Sequence, residues 1–150
     1  MALRFFNVYG PRQDPRSEYA AAIPRFATRL LAGQRPIVYG DGLQTRDFVH
    51  VSDVVRANLL AAVSQKAVGE VINVASGRSA SLIELIGILQ QVIGSDMEIE
   101  HQAPRAGDLR ASSADIAKAR ELLGYEARVK LEDGLAALVA ALREGLARAA

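Results

Sequence analysis

Cysteine is absent from all 150 residues, which excludes disulfides and thiolate chemistry, and two histidines are too few to complete a His/Cys structural zinc site. A charge surplus is absent too: 18 Lys and Arg stand against 17 Asp and Glu, for a formal net charge of +1. That balance gives no sequence-wide basic face for nucleic acid and no acidic tail, so a charged ligand has to be met by local groups. No apolar run approaches the roughly 20 residues that span a bilayer, and the opening Met1-Ala-Leu-Arg-Phe-Phe lacks the apolar region of a signal peptide. Together these absences predict a cytoplasmic chain with neither nucleic acid nor membrane as partner. Repeats, low-complexity linkers and domain boundaries are also missing. What is present is a half-apolar composition, enough for one sizeable core and hence a single domain over residues 1–150.

Leu3 to Tyr9 reads as a strand closed by Gly10-Pro11, and the polar stretch Arg12 to Tyr19 as a loop of the kind that carries binding groups. Ile23, Phe26, Ala27, Leu30 and Leu31 recur with helical spacing, with Pro24 in the first turn and Gly33 as the stop. Pro36 to Tyr39 reads as a short strand and Gly40-Asp41-Gly42 as a turn. Arg46 to Val51 then reads as a strand with Arg46, Phe48 and His50 opposite Asp47, Val49 and Val51. Ser52 or Asp53 can cap the next helix, whose stripe is Val55, Leu59 and Ala62. Val71 to Ala75 has the profile of a short buried strand.

Ser81-Leu-Ile-Glu84 is a capping box opening a helix with Leu82, Leu85, Ile86, Leu89 and Ile93 on one side and Gly94 at its end. Met97 to His101 alternates weakly as a strand, and Pro104 to Asp108 is a charged loop. Asp115 to Leu123 makes a helix ended by Gly124. Leu131 to Leu146 makes a longer one, with apolar positions 131, 135, 138, 139, 142 and 146 that suit a core face better than an interaction face. This mixed order predicts an α/β or α+β class.

Chemistry has to come from arginines and carboxylates in loops. Arg46 follows a glycine turn that lets backbone approach a ligand closely, and its guanidinium fork suits bidentate phosphate binding. An ion pair with Asp41 or Asp47 explains the same residue equally well. Arg105-Ala-Gly-Asp108 repeats the theme, with a carboxylate that can accept from sugar hydroxyls. His50 and His101 read as structural, because a base needs a positioned partner and no Gly-x-Ser-x-Gly nucleophile turn occurs.

Four segments carry a resemblance: Leu3-Arg-Phe-Phe-Asn-Val-Tyr-Gly-Pro-Arg-Gln13, Ile37 to Asp53, Gly69 to Gly77, and Arg105-Ala-Gly-Asp108. In this order, and with the closing Asp115 to Tyr125 helix, they resemble the C-terminal, substrate-binding half of the NAD-dependent epimerase/dehydratase family. These are extended short-chain dehydrogenases acting on nucleotide sugars, and the likeness is nearest to UDP-glucose and UDP-N-acetylglucosamine 4-epimerases. The resemblance implies the C-terminal part of a Rossmann-type α/β fold, with Leu3–Tyr9 and about Ser52–Ala75 belonging to the dinucleotide-binding sheet. It assigns Asn7, Arg46 and Arg105 to the sugar diphosphate, Ile37 and Tyr39 to the uracil, Asp108 to the ribose, and Phe5 to the nicotinamide.

The departures from that family are equally specific. The twelve glycines form no Gly-x-x-Gly-x-x-Gly turn, and the residues four beyond Tyr9, Tyr19, Tyr39 and Tyr125 are Gln13, Ile23, Leu43 and Val129, so no Tyr-x-x-x-Lys pair exists. NAD is therefore implied for a complete enzyme and not for this chain alone. The expected partner is a UDP-sugar, together with self-association or a complementary N-terminal half. The alternatives are a catalytically dead UDP-sugar-binding or dimerisation module, and half of a dTDP- or GDP-sugar dehydratase or reductase.

Overall fold

A computed structural model describes residues 1–14 and 22–149, so of the stretch 12–19 only the first three residues, through Asp14, fall within it. Eight strands and five helices alternate irregularly among the described residues, as the mixed pattern predicts. The expected first strand is divided at Phe6. Its first part, β1 (Ala2–Phe5), pairs in parallel with β5 (Val71–Val74), whereas β2 (Asn7–Tyr9) pairs in parallel with the second half of β4 (Thr45–His50). The first half of β4 pairs antiparallel with β6 (Ser79–Ser81) and parallel with β8 (Ala111–Ser112). Both β6 and β8 lack a strand signal, because each is short and polar and exists through its pairing with β4. Finally β3 (Ile37–Tyr39) pairs in parallel with β7 (Glu100–Gln102), which overlaps the strand expected over Met97–His101 only at Glu100 and His101 and runs one residue past it.

Alternation along β4 divides the interior in two. Phe48 enters a core built from α1 (Ala22–Leu31), α3 (Leu82–Ile93) and α5 (Leu131–Ala149), around Ile23, Phe26, Leu85, Leu89, Leu135 and Leu138. Its neighbour Val49 enters a second core with α2 (Val51–Val63), β5 and α4 (Ala117–Leu123), around Val54, Ala57, Ile72, Val74 and Tyr125. Asp47, fully buried between them, accepts hydrogen bonds from the Ser76 N–H (2.8 Å), the Ser76 hydroxyl (2.6 Å) and the Gly77 N–H (3.0 Å). One carboxylate thus ties β4 to the turn that follows β5.

The expected cap of α2 changes. Its N-cap is His50, whose ring Nδ1 accepts from the Ser52 N–H, and not Ser52 or Asp53. Asp53 instead lies buried and receives the N–H groups of Arg128 and Val129 together with Arg56, which fixes the approach to α5. The stripe of α2 faces outward: Val55 is 54% and Leu59 66% exposed, and with Val51 and Val63 they line one side of the helix. The buried face is Asp53, Val54, Ala57 and Ala61, mostly small residues that let the helix approach the strands closely.

The capping box at α3 forms as expected, with the Ser81 hydroxyl accepting from the Glu84 N–H and the Glu84 carboxylate accepting from the Ser81 N–H. We expect Ser81→Ala to cost about 1–2 kcal/mol in chemical denaturation at neutral pH. Hydrogen bonds from the Ser81 backbone and then its hydroxyl hold the Glu84 carboxyl below its usual range. A depressed carboxyl stabilises the fold above the unfolded-state value, and that contribution is lost as pH falls through the folded value. The difference between wild type and Ser81→Ala should therefore narrow in acid.

Candidate functional site

The Gly40-Asp41-Gly42 turn is built for close approach. Gly40 and Gly42 have φ of 81° and 76°, and a Cβ on Gly42 would lie 2.5 Å from the Ile83 side chain. Two of the four orphan N–H groups that open α3 are satisfied here, Leu82 by the Gln44 carbonyl (3.3 Å) and Ile83 by the Gly42 carbonyl (3.2 Å). Asp41 caps the turn by accepting from the Leu43 N–H at 2.9 Å and takes both bonds of an ion pair from Arg110 at 2.7 and 2.9 Å. Arg110, and after it the Leu43 N–H, holds the Asp41 carboxyl below its ordinary range. Asp41 and Asp47 are thus committed to structure, and neither pairs with Arg46.

Arg46 points instead into a cavity of about 720 Å³. Asn7, Ile37, Tyr39, Arg46, Arg105 and Asp108, drawn from β2, β3, β4 and the 104–108 loop, all line it. Arg46 is only 16% exposed and its Nη2 donates to Asp108 Oδ1 at 2.5 Å, so its ion-pair partner lies 62 residues away and not next door. The Arg105 guanidinium lies over the Tyr39 ring, 3.7 Å from the centroid, a cation–π contact that aims a second fork at the same space. Asn7 donates to the Asp47 carbonyl at 3.0 Å, which fixes the amide at the wall. Phe5 stands apart: it is 47% exposed on β1 and does not line the cavity.

Several lining residues carry no strong sequence signal. Arg25 and Arg29 are one turn apart on α1, beside its buried stripe, and Thr28 between them has a buried hydroxyl without a hydrogen-bond partner. Paired arginines on a helix flank ordinarily read as a solvated face, although their i, i+4 spacing beside an apolar stripe is a signal that they share a wall. Gln44 is buried at 7% exposure and donates to the Tyr39 carbonyl and to Asp108. Four arginines against one aspartate give the cavity a local positive field that the balanced whole-chain charge conceals.

The four guanidinium groups on the cavity wall have the charge and donor geometry that suit an anion. Burial pushes Tyr9 upward and pushes Tyr125 up to about 12, the direction opposite to that of a tyrosine base. Their hydroxyls donate to the carbonyls of Leu131 and Ala75. Among the described residues no group of three or more His, Cys, Asp or Glu could hold a metal ion. No glycine-rich turn precedes a helix with the required spacing, and the aromatic assigned to the nicotinamide is outside the cavity.

Residues 1–75 match the model of the NAD dependent epimerase/dehydratase family. The chain is similar to a putative UDP-glucose 4-epimerase of Methanocaldococcus jannaschii, 42% identical over 91% of this chain and 43% of the relative. It is also similar to a dTDP-glucose 4,6-dehydratase of Streptomyces griseus, 40% identical over 91% of this chain and 40% of that protein. Among solved structures, the UDP-glucose 4-epimerase of Thermotoga maritima with UDP-glucose superposes with a TM-score of 0.91 at 44% identity, covering 96% of this chain and 46% of the other. The chain belongs to the NAD-dependent epimerase/dehydratase family, and it spans a little under half the length of the relatives it matches. No helix among the described residues is long and apolar enough to cross a membrane.

Proposed function

We propose that this chain is the nucleotide-sugar-binding half of an NAD-dependent sugar-nucleotide 4-epimerase or dehydratase. The observation that carries this reading is the convergence of Arg46 and Arg105 on one cavity, with Tyr39 beneath Arg105 and Asp108 beside Arg46. Two guanidinium forks match the two charges of a diphosphate, an aromatic wall suits a base, and a carboxylate accepts from ribose hydroxyls. Asn7 adds an amide at the diphosphate, and Ile37 an apolar edge to the base. The relatives named for UDP-glucose and dTDP-glucose support a pyrimidine diphosphate sugar and leave both bases as candidates.

In this reading NAD and the catalytic tyrosine and lysine come from a complementary segment, and the surface it covers is the outward face of α2 with the β1–β5 ladder. Val51, Val55, Leu59 and Val63 recur every four residues along α2, and Phe5 and Val71 are 47% and 43% exposed on the ladder. Leu3–Tyr9 and about Ser52–Ala75 then extend the dinucleotide-binding sheet, and a second copy of the chain could cover part of the same face.

The test is complementation. The chain is mixed with the N-terminal segment of a relative carrying Gly-x-x-Gly-x-x-Gly and Tyr-x-x-x-Lys, and UDP-glucose turnover is followed. Turnover is expected from the mixture and from neither part alone. Leu59→Asp should abolish it while leaving UDP-glucose binding to the chain intact. Binding without turnover in the mixture would make the chain a binding module only, and no binding at all would contradict the site.

A further inference from the structure

The 104–108 loop has little backbone support of its own. Among the described residues Asp108 N–H donates to the Arg105 carbonyl at 3.3 Å, and side chains make the other hydrogen bonds and ring contacts of the segment. Arg105 rests on Tyr39, and the two Asp108 oxygens are shared, Oδ1 taken by Arg46 at 2.5 Å and Oδ2 by Gln44 Nε2 at 3.3 Å. Gln44 spends its other amide hydrogen on the Tyr39 carbonyl at 2.9 Å. A single buried amide thus bridges the strand bearing Tyr39 and the loop bearing Asp108.

We propose that Gln44 is a positioning residue for nucleotide binding. The inference rests on the diphosphate reading of Arg46. When a diphosphate takes the Arg46 fork, Asp108 Oδ1 loses its cation, and among the described residues Gln44 is the buried donor left to keep the carboxylate at the cavity wall. The released oxygen then faces outward as an acceptor for a nucleoside hydroxyl. Through the Tyr39 carbonyl the same amide keeps the aromatic wall at a fixed distance from that carboxylate. Gln44 therefore matters for ligands that carry a nucleoside and is indifferent to those that carry only phosphates.

Calorimetric titration of the chain with UDP-glucose and with inorganic pyrophosphate separates this role from a merely structural one. Gln44→Met is expected to raise the Kd for UDP-glucose about tenfold, the fold-change of one ordinary hydrogen bond, and to change that for pyrophosphate less than about twofold. Gln44→Glu provides a second readout. Its new carboxylate repels Asp108 at pH 8, and the like charge raises its pKa, so protonation toward pH 5 restores a donor and UDP-glucose affinity. Wild type should be flat over that range, because the diphosphate diester of UDP-glucose does not titrate there. Equal losses for both ligands, or a Gln44→Glu defect that is independent of pH, would overturn the inference. So would unchanged binding in both variants beside a wild type that binds UDP-glucose. Failure of the wild type to bind UDP-glucose would overturn the diphosphate reading, and this inference with it.

Discussion

Arg46→Ala is expected to weaken UDP-glucose binding by about 2–4 kcal/mol, roughly 30- to 1,000-fold in Kd. The guanidinium is 16% exposed, so its charge is poorly screened, and its position on β4 is set by pairing on both sides, with β6 at Ala80 and with β8 at Ser112. Removing it also strands Asp108, which in the free chain pairs with Arg46 and would then present an uncompensated carboxylate to the incoming phosphates. Arg46→Lys should fall between, because an ammonium keeps the charge but loses the bidentate fork. Arg105→Ala should cost less, since Arg105 lies in a loop and its mapped contact is the face of Tyr39. Titration calorimetry of the four proteins checks that order, and a loss for Arg105→Ala exceeding that for Arg46→Ala would reverse the assignment of the main phosphate ligand.

Asp47→Ala is expected to destabilise the fold by about 3–5 kcal/mol, the range seen when one partner of a buried charged hydrogen-bonded group is removed. The carboxylate has no exposure and satisfies two backbone N–H groups and a hydroxyl at the Ser76-Gly77 turn. Gly77 has a φ of 74° and packs against Ile116, so the turn cannot easily find another way to bury those donors. Asp47→Asn should recover part of the loss, because the amide oxygen still accepts while its NH2 opposes a donor. Urea denaturation with an unchanged slope is the check, and a loss below about 1 kcal/mol for Asp47→Ala would mean the turn does not depend on this residue.

Elements whose determinants are local are legible in the sequence. The Ser81/Glu84 box, the glycine stops at Gly94 and Gly124, and the stripes of α1 and α5 each follow from chemistry within one or two turns, although Leu146 at the end of the α5 stripe is 56% exposed. Elements whose determinant is a distant partner are not legible there. The break at Phe6 arises because Ala2–Phe5 and Asn7–Tyr9 pair with different strands, and β6 and β8 carry no apolar alternation at all. On α2 the more apolar face is the exposed one, so hydrophobicity alone does not tell which side packs inward. Close approach to β2 and β4 requires small residues on the inner face, and Val55 and Leu59 make sense as a surface for another segment.

The site divides along the same line. Arg46 and the Arg105/Asp108 loop were visible because loop arginines beside glycine turns suggest anion binding, and all six residues assigned to the substrate line one cavity. Their mutual pairing was not visible. Arg46 and Asp108 are 62 positions apart, and an even choice between ligand and neighbouring ion pair omitted the partner that the fold supplies. Gln44, Arg25 and Arg29 carry no such signal, because a buried amide and a helix flank look ordinary until a cavity opens beside them.

The most direct measurement is calorimetric titration of the 150-residue chain with UDP-glucose, followed by competition with UDP, uridine and inorganic pyrophosphate. One site per chain is expected, with UDP competing well, pyrophosphate more weakly, and uridine hardly at all, because Arg46 and Arg105 supply most of the attraction. No heat of binding, or uridine competing as well as UDP, would contradict a diphosphate-binding cavity.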